Sequence, residues 1–536
     1  MFTIINMSEV TQSNFVKLFP LIKETLQQAR FVSIDLEFSA LNPLRNHAPS
    51  LFDSPTDRYY KLKKNVEYVI PLQIGITAFT YDSKRNSYLG TIFDFYVQPA
   101  SFQFLHKHFF FQSSTINFLK LYHFNFNKFA YHGISYINRT QELELREKLR
   151  NNEISEVNCT CKTELEKIVE SKLSIVTTWY LKAKEEDFLI VVSKVSAVCN
   201  REIEYFLHKI FRQRFDNLWT YVESDDFIVK KLSIQRYKAM DISNNLDPDL
   251  VDSLLGFTKV FRLIESLNIP IIGHNLLQDL LLMVSSFESE LPNSYNDFKS
   301  VITNLFPIIF DTRTISNEMR SSLPEEKRWN DRGLDTIFDY FKNGVGRHIV
   351  SNSPAIEVKC DQENMETFHD AGWDSFCTGY IFIRLAHLNL YQNYPRSKSF
   401  VPNELIGGLL QYKNRVNIIR GSISTINLGG TDPDSTRPPY LIIESVKNKP
   451  LNICQVTAIL GSFGFIEVKK IPFQRQRALV AVDNFGNAKK ILNNFRNHQE
   501  FRIFQYSALK HSVPVRMIIA GSVAIVGAVI LWLAIE

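Results

Sequence analysis

The stretch Phe31-Val-Ser-Ile-Asp-Leu-Glu-Phe38, running on into Ser39 and Ala40, decides how this chain reads. Phe31, Val32, Ile34 and Leu36 predict a buried strand. Asp35 and Glu37 stand two residues apart on it, so their side chains project from the same face. Two carboxylates held together in an apolar segment repel each other, and a metal cation offsets that repulsion most simply. A divalent metal site is therefore expected. Taken alone, the pair also fits a solvated strand edge or the partner of a helix cap.

Two later segments separate these readings. Ile271-Ile-Gly-His-Asn-Leu-Leu-Gln-Asp279 joins an apolar strand to a glycine turn, with Asn275 as the expected N-cap and Asp279 in the first turns of an amphipathic helix. His369-Asp-Ala-Gly-Trp-Asp374 opens a helical segment that continues to Ala386 and sets a histidine five residues before a fourth carboxylate.

Asp-x-Glu, then Gly-His-Asn-x3-Asp, then His-x4-Asp resembles the three exonuclease motifs of the DEDDh superfamily, with all five positions filled. The framing is closer still to the poly(A)-specific ribonuclease family. Arg58-Tyr-Tyr-Lys-Leu-Lys-Lys64, Leu72-Gln-Ile-Gly75, Phe93-Asp-Phe-Tyr96, Phe111-Gln-Ser-Ser-Thr-Ile-Asn-Phe118, Phe126-Asn-Lys-Phe-Ala-Tyr-His-Gly133 and Leu255–Ile264 carry that likeness, which extends more weakly to about Tyr506.

The resemblance implies an α/β, ribonuclease H-like exonuclease core whose catalytic set is Asp35, Glu37, Asp279, His369 and Asp374. The four carboxylates would hold two hard cations, Mg²⁺ with Mn²⁺ as substitute, one activating water and one stabilising the leaving 3′ oxygen. His369 would take the proton from the attacking water, since an imidazole with a pKa near about 6.5 is an effective acceptor around neutrality. Phe38 reads as a wall against which a terminal base packs, with a core role open beside it. His274 reads as a structural support of the turn before Asp279.

Composition fits an ordered intracellular protein with length for two or three cores: 536 residues, 45 % hydrophobic, 13 % aromatic, with 42 Phe. Disorder is not suggested by this composition. Six cysteines form no CxxC pair and no signal-peptide pattern opens the chain, so reduced thiols are expected. Asn138-Arg-Thr and Asn158-Cys-Thr match the glycosylation sequon, which has no meaning in the cytosol.

Met517 to Ile535 is a run of nineteen uncharged residues, about the ~20 needed to span a bilayer. Only Glu536 follows, so the expectation is a C-terminal transmembrane tail anchor with the remainder in the cytosol; Lys510 and Arg516 suit its cytoplasmic side. No clean GxxxG spacing supports association through the span.

Between these ends we expect residues 1–150 and 246–400 to form the two halves of the exonuclease core. Residues 151–245 read as a small α/β insert, with a strand at Phe188–Ser193 and a helix at Ile203–Leu218. The family carries an Arg-x3-His nucleic-acid-binding domain there. Its signature is unclear here, because Arg201 is followed at the fourth place by Tyr205, and Glu204 stands four before His208. Residues 401–437 connect to an RNA-recognition-type (RRM-like) α+β domain at 438–506, followed by a juxtamembrane segment at 507–516 and the span at 517–535. The central strands of that domain lack the aromatic residues on which such folds stack bases. Residues 447–510 hold eleven Lys or Arg against three Asp or Glu, a net +8 where the whole chain is +5. That charge suits RNA phosphates, an anionic membrane or a solvated face alike.

The apolar tail resembles the membrane-bound branch of the family, the PARN-like domain-containing proteins. That branch implies trimming of PIWI-bound pre-piRNA 3′ ends at the mitochondrial outer membrane, with the endoplasmic reticulum membrane as alternative. Single-stranded RNA 3′ ends, a PIWI protein and a Tudor-domain adaptor are the implied partners, and a homodimer stays open. A membrane-tethered poly(A) deadenylase and an inactive RNA-binding scaffold are the competing readings; five intact catalytic positions argue against the scaffold.

Overall fold

The computed structural model describes residues 8–195, 199–243, 246–330, 333–348, 352–359, 368–394, 399–447 and 449–507. Two compact units divide the chain, one of residues up to 45 with 62–416, the other of 46–61 with the described residues from 417 onward.

In the first unit the chain lays down β1 (Ser8–Val10), β2 (Phe31–Phe38), β3 (Pro71–Asp82), β4 (Ser87–Pro99) and β5 (Ile134–Tyr136). It then makes an insert containing β6 (Phe188–Val192), β7 (Leu218–Glu223) and β8 (Asp226–Lys231), and returns with β9 (Ile271–Gly273), β10 (Ile309–Asp311) and β11 (Ala355–Lys359). One sheet takes the order β1-β4-β3-β2-β9-β10, with β5 and β11 also pairing along β4. β2, β3 and β4 are antiparallel, whereas β9 runs parallel to β2. Strands separated by more than two hundred residues thus become neighbours, and their ends can share a site. The strand expected at 31–38 lies there, and β3 and β4 follow it at 71–82 and 87–99.

The helix Ala371–Asn393 crosses this sheet and is buried along nearly its whole length. Such a helix shows no amphipathic stripe because every face meets protein. Its polar residues are spent on the sheet: Ser33 Oγ donates to the Ser375 carbonyl at 2.6 Å, and the Thr77 and Ser375 hydroxyls bond at 2.7 Å.

In the insert, the helix expected to reach Leu218 stops at Arg214, where Phe215 turns extended and leads into β7. It packs His208 and Arg212 on Thr220: His208 Nδ1 lies 2.7 Å from Thr220 Oγ1, and Arg212 Nε donates to the same oxygen at 2.9 Å. The Arg212 guanidinium also stacks 3.6 Å from the Trp219 ring centre. The basic pair therefore reads His-x3-Arg, the reverse of the family signature, and both side chains bind within the insert. Burial, with Arg212 adding to it, pushes the His208 imidazole down to about 3. An unfolded histidine protonates near about 6.5, so the stability of the neutral form is present above that pH and is lost as pH falls. Between pH 6.5 and 5 the loss should be about 2 kcal/mol. Urea unfolding followed by tryptophan fluorescence should show this slope, and His208→Gln should flatten it.

In the second unit, strands Ile466–Ile471, Gln474–Val482, Leu441–Ser445 and Phe501–Gln505 lie in that order, interleaved in sequence with helices Ile453–Gly461 and Phe485–Asn494. Ile466, Val468, Leu441, Ile443 and Val480 pack with the helices. The opposite face, where RNA-recognition folds stack bases, meets the chain's own segment 46–61. Glu467 accepts hydrogen bonds from Ser50 Oγ at 2.5 Å and Leu51 N–H at 3.0 Å, and Lys469 lies over the Phe52 ring. Arg58, from the Arg-Tyr-Tyr-Lys stretch, is buried in an ion pair with Asp53 and donates to the carbonyls of Ile419 and Arg420.

The apolar run 517–535 lies outside the described residues. Among the described residues no helix is long and apolar enough to cross a membrane.

Candidate active site

β2 presents Asp35 and Glu37 on one face, as the two-residue spacing requires, and a register irregularity after Glu37 brings Phe38 opposite Pro71 at the end of the ladder. Phe38 is half-buried at this strand end. In the row across the sheet, Asp35 faces Gly75 on β3, and Gly75 faces Asp94 on β4. Gly75 is required by close approach: a Cβ there would lie 1.7 Å from the Ala371 carbonyl oxygen. The start of the long helix therefore rests on the sheet beside the acidic pair.

That start differs from the expected one. The helix begins at Ala371, and Asp370 caps it by accepting the Trp373 N–H at 3.1 Å. His369 precedes the cap with φ +66°, a left-handed conformation uncommon outside glycine. From there its N–H donates to Asp374 Oδ2 at 3.0 Å, so backbone conformation couples the histidine to the fourth carboxylate. The imidazole lies against two rings of the 113–122 region, with centroids 4.0 Å from Tyr122 and 4.8 Å from Phe118. Burial holds the imidazole below its ordinary value, with Asp335 pulling the other way.

Asp279 is also brought in, with a correction to the turn before it. Asn275 is not the N-cap: it sits at φ +63°, and the helix begins at Leu277 with Leu276 in the cap position. The cap comes from another strand, because the carboxylate of Asp311, at the end of β10, accepts the N–H of Asn275 at 2.9 Å and of Leu276 at 3.1 Å. Nor is Leu277–Met283 amphipathic, since Leu277 and Asp279 through Met283 are all buried. His274 holds this turn as expected, its Nδ1 lying 2.9 Å from Thr312 Oγ1. Asp279 reaches β2 through a hydrogen bond from the Leu36 backbone, and burial pushes its carboxyl up to about 7.

The four carboxylates feel one another. Burial raises Asp35 well above the usual carboxylate range, with Asp279 and Asp370 adding to it. Burial does the same to Glu37, helped by Asp35, Asp374, Asp370 and Asp279. Asp374 is raised by burial and then by Asp35. Glu37, His369 and Asp374 each bring a ligand atom within 4.8 Å of the others, and Asp374 Oδ1 is buried without a hydrogen-bond partner. Buried, mutually repelling carboxylates with an orphaned oxygen fit divalent cations and little else. Asp370, Phe118 and Tyr122 belong to this site but were not singled out from the sequence. Asp370 had a signal in its cap position, three residues before Trp373, whereas the two rings reach His369 only through the tertiary fold.

The chain is similar to known ribonucleases. The model of the CAF1 family of ribonucleases matches residues 10–382. The pre-piRNA 3′-exonuclease trimmer of Bombyx mori is 33 % identical over 98 % of each chain. The human poly(A)-specific ribonuclease PNLDC1 is 29 % identical over 92 % of this chain and 94 % of its own. The Danio rerio poly(A)-specific ribonuclease PARN is 25 % identical over 93 % of this chain and 77 % of its own.

Proposed function

The chain belongs to the CAF1 family of ribonucleases and is a 3′-to-5′ exoribonuclease, and from that premise we propose that its substrate is the 3′ end of PIWI-bound pre-piRNA. The observation that carries this reading is end-to-end similarity to the silkworm trimmer, at higher identity than to the poly(A)-specific ribonucleases, with every acidic position filled. Membrane-tethered poly(A) deadenylation of mRNA is the competing reading, and the names of those latter relatives support its poly(A) specificity alone.

Asp35, Glu37, Asp279 and Asp374 would hold the cations, two Mg²⁺ ions in our reading, with Mn²⁺ able to replace them. When bound, such ions neutralise charge at the scissile phosphate and lower the pKa of water. The remaining work falls to the protein. His369, kept neutral by burial, accepts the proton of the attacking water, while Tyr122 and Phe118 hold its ring. The half-buried Phe38 would pack the terminal base, and each turnover would release a 5′-nucleotide.

We further propose that 517–535 anchors the enzyme to the mitochondrial outer membrane, near a Tudor-domain adaptor and its PIWI-bound substrate. Removing 513–536 should move the protein to the soluble fraction and leave hydrolysis of short free RNA unchanged. Trimming in cells should fall, because tethering raises effective concentration. Full-length protein with Mg²⁺ on A-tailed RNA, non-A RNA and PIWI-loaded precursor tests the substrate directly. Strong preference for free A-tails over loaded precursor would make the protein a deadenylase, and normal small-RNA 3′ ends in cells carrying the truncated form would remove the anchor from the account.

A further inference from the structure

Behind the carboxylates lies a buried polar contact that the hydrolysis described above does not use. Gln73 on β3 faces Glu37 on β2, and Asp94 on β4 lies on the same side, two rows along, in the row of Asp35 and Gly75. Their exposures are 1 % and 3 %. One nitrogen serves two acceptors: Gln73 Nε2 donates to Asp94 Oδ2 at 2.7 Å and to Asp370 Oδ2 at 3.0 Å. An amide nitrogen carries two hydrogens, so both bonds form at once. The other oxygen of Asp370 caps the helix that carries Asp374 in its first turn. A buried polar group left without a partner is unfavourable, so the three side chains constrain one another, and no other residue type at position 73 offers the same paired donors at this reach.

We propose that Gln73 and Asp94 are positioning residues for the exonuclease site. Asp94 aims the Gln73 amide, the amide fixes Asp370, and Asp370 sets the helix start from which His369 and Asp374 are presented. The inference rests on the exoribonuclease reading above. It explains why an amide is buried between two carboxylates: it crosslinks a strand of the sheet to a helix cap whose neighbours do the chemistry. Residues standing behind metal ligands act in this way in metal sites generally, and their loss costs roughly 10–100-fold in metal affinity or activity.

The test compares Gln73→Leu, Asp94→Leu and Asp94→Asn in the full-length protein. Gln73→Leu removes both donors at similar volume. Asp94→Asn keeps a carbonyl oxygen to accept the Gln73 N–H, whereas Asp94→Leu does not. Gln73→Leu and Asp94→Leu should each lower kcat on short single-stranded RNA by about 10–100-fold, with KM for RNA within about twofold. Both should also weaken Mn²⁺ binding, measured by calorimetry without RNA. Asp94→Asn should restore most of the rate and the Mn²⁺ affinity. Unchanged kcat and Mn²⁺ affinity in folded Gln73→Leu would overturn the proposal, and so would equal damage from Asp94→Asn and Asp94→Leu, which would make charge the requirement. If Gln73→Leu fails to fold by circular dichroism, the contrast between the two Asp94 variants decides alone. The wild-type assay keeps the two questions apart, because a wild type that binds Mn²⁺ without degrading RNA would refute the exonuclease reading and leave the positioning of the metal ligands measurable.

Discussion

Replacing Asp35 or Glu37 with alanine should abolish RNA hydrolysis while the protein stays folded. The loss should exceed the roughly 10–100-fold that residues behind metal ligands produce. Both side chains project from β2 toward Asp279 and Asp374, and neither contributes to the apolar core on which the strand depends. Stability should move the opposite way. Both carboxyls are raised by burial and mutual repulsion, so the metal-free folded protein holds protons that the unfolded chain releases at the same pH. Ionising them at neutral pH therefore costs folded-state stability, and that cost shrinks as pH falls. Asp35→Asn should accordingly raise the thermal midpoint in chelator at pH 7, while Mg²⁺ should raise the midpoint of wild type more than that of the variant. Scanning calorimetry with and without Mg²⁺, beside the hydrolysis assay, measures both. Full activity in either alanine variant would remove these carboxylates from the site.

Asp35 and Glu37 are legible because their pattern is local. A strand declares its faces with a period of two, so one glance at Phe31–Phe38 places both acids together, and the later segments supply Asp279 and Asp374 by their fixed spacing within motifs. What the sequence hid is whatever depends on residues far away. Asn275 has the chemistry of an N-cap, but Asp311 from a different strand takes over that role, and Asn275 sits in a left-handed turn. Leu277–Met283 reads as amphipathic only if a solvent face is assumed, and its burial on all sides comes from the packing of the whole unit. Segment 46–61 gives no local sign that it covers a sheet four hundred residues away, because Glu467 and Ser50 are unremarkable until the fold brings them to hydrogen-bonding distance. Tyr122 and Phe118 likewise become part of the site only by meeting His369.

His369 supplies the second large effect, since His369→Ala should slow hydrolysis by roughly 10²–10⁴-fold, the contribution of a positioned general base. Its ring nitrogen also lies within 4.8 Å of the ligand atoms of Glu37 and Asp374, so a role as metal ligand must be told apart from a role as base. The two roles predict different measurements. A base acts only when neutral, so activity should rise with pH through the imidazole pKa. Burial lowers that pKa, which places the acid limb of the wild-type rate profile below the ordinary histidine value of about 6.5. His369→Ala should erase that limb while leaving Mn²⁺ and RNA affinities unchanged. A ligand would behave otherwise: the variant would need far more Mg²⁺, and saturating metal would restore much of the rate. Alanine keeps both the Cβ that makes the left-handed backbone unfavourable and the backbone N–H that donates to Asp374, so the turn is no less strained but its bond to the carboxylate does not depend on the ring, and the change should report on the ring. Rate loss that persists at saturating Mg²⁺, together with disappearance of the acid limb, would identify His369 as the proton acceptor; recovery with excess Mg²⁺ would assign it to the metal.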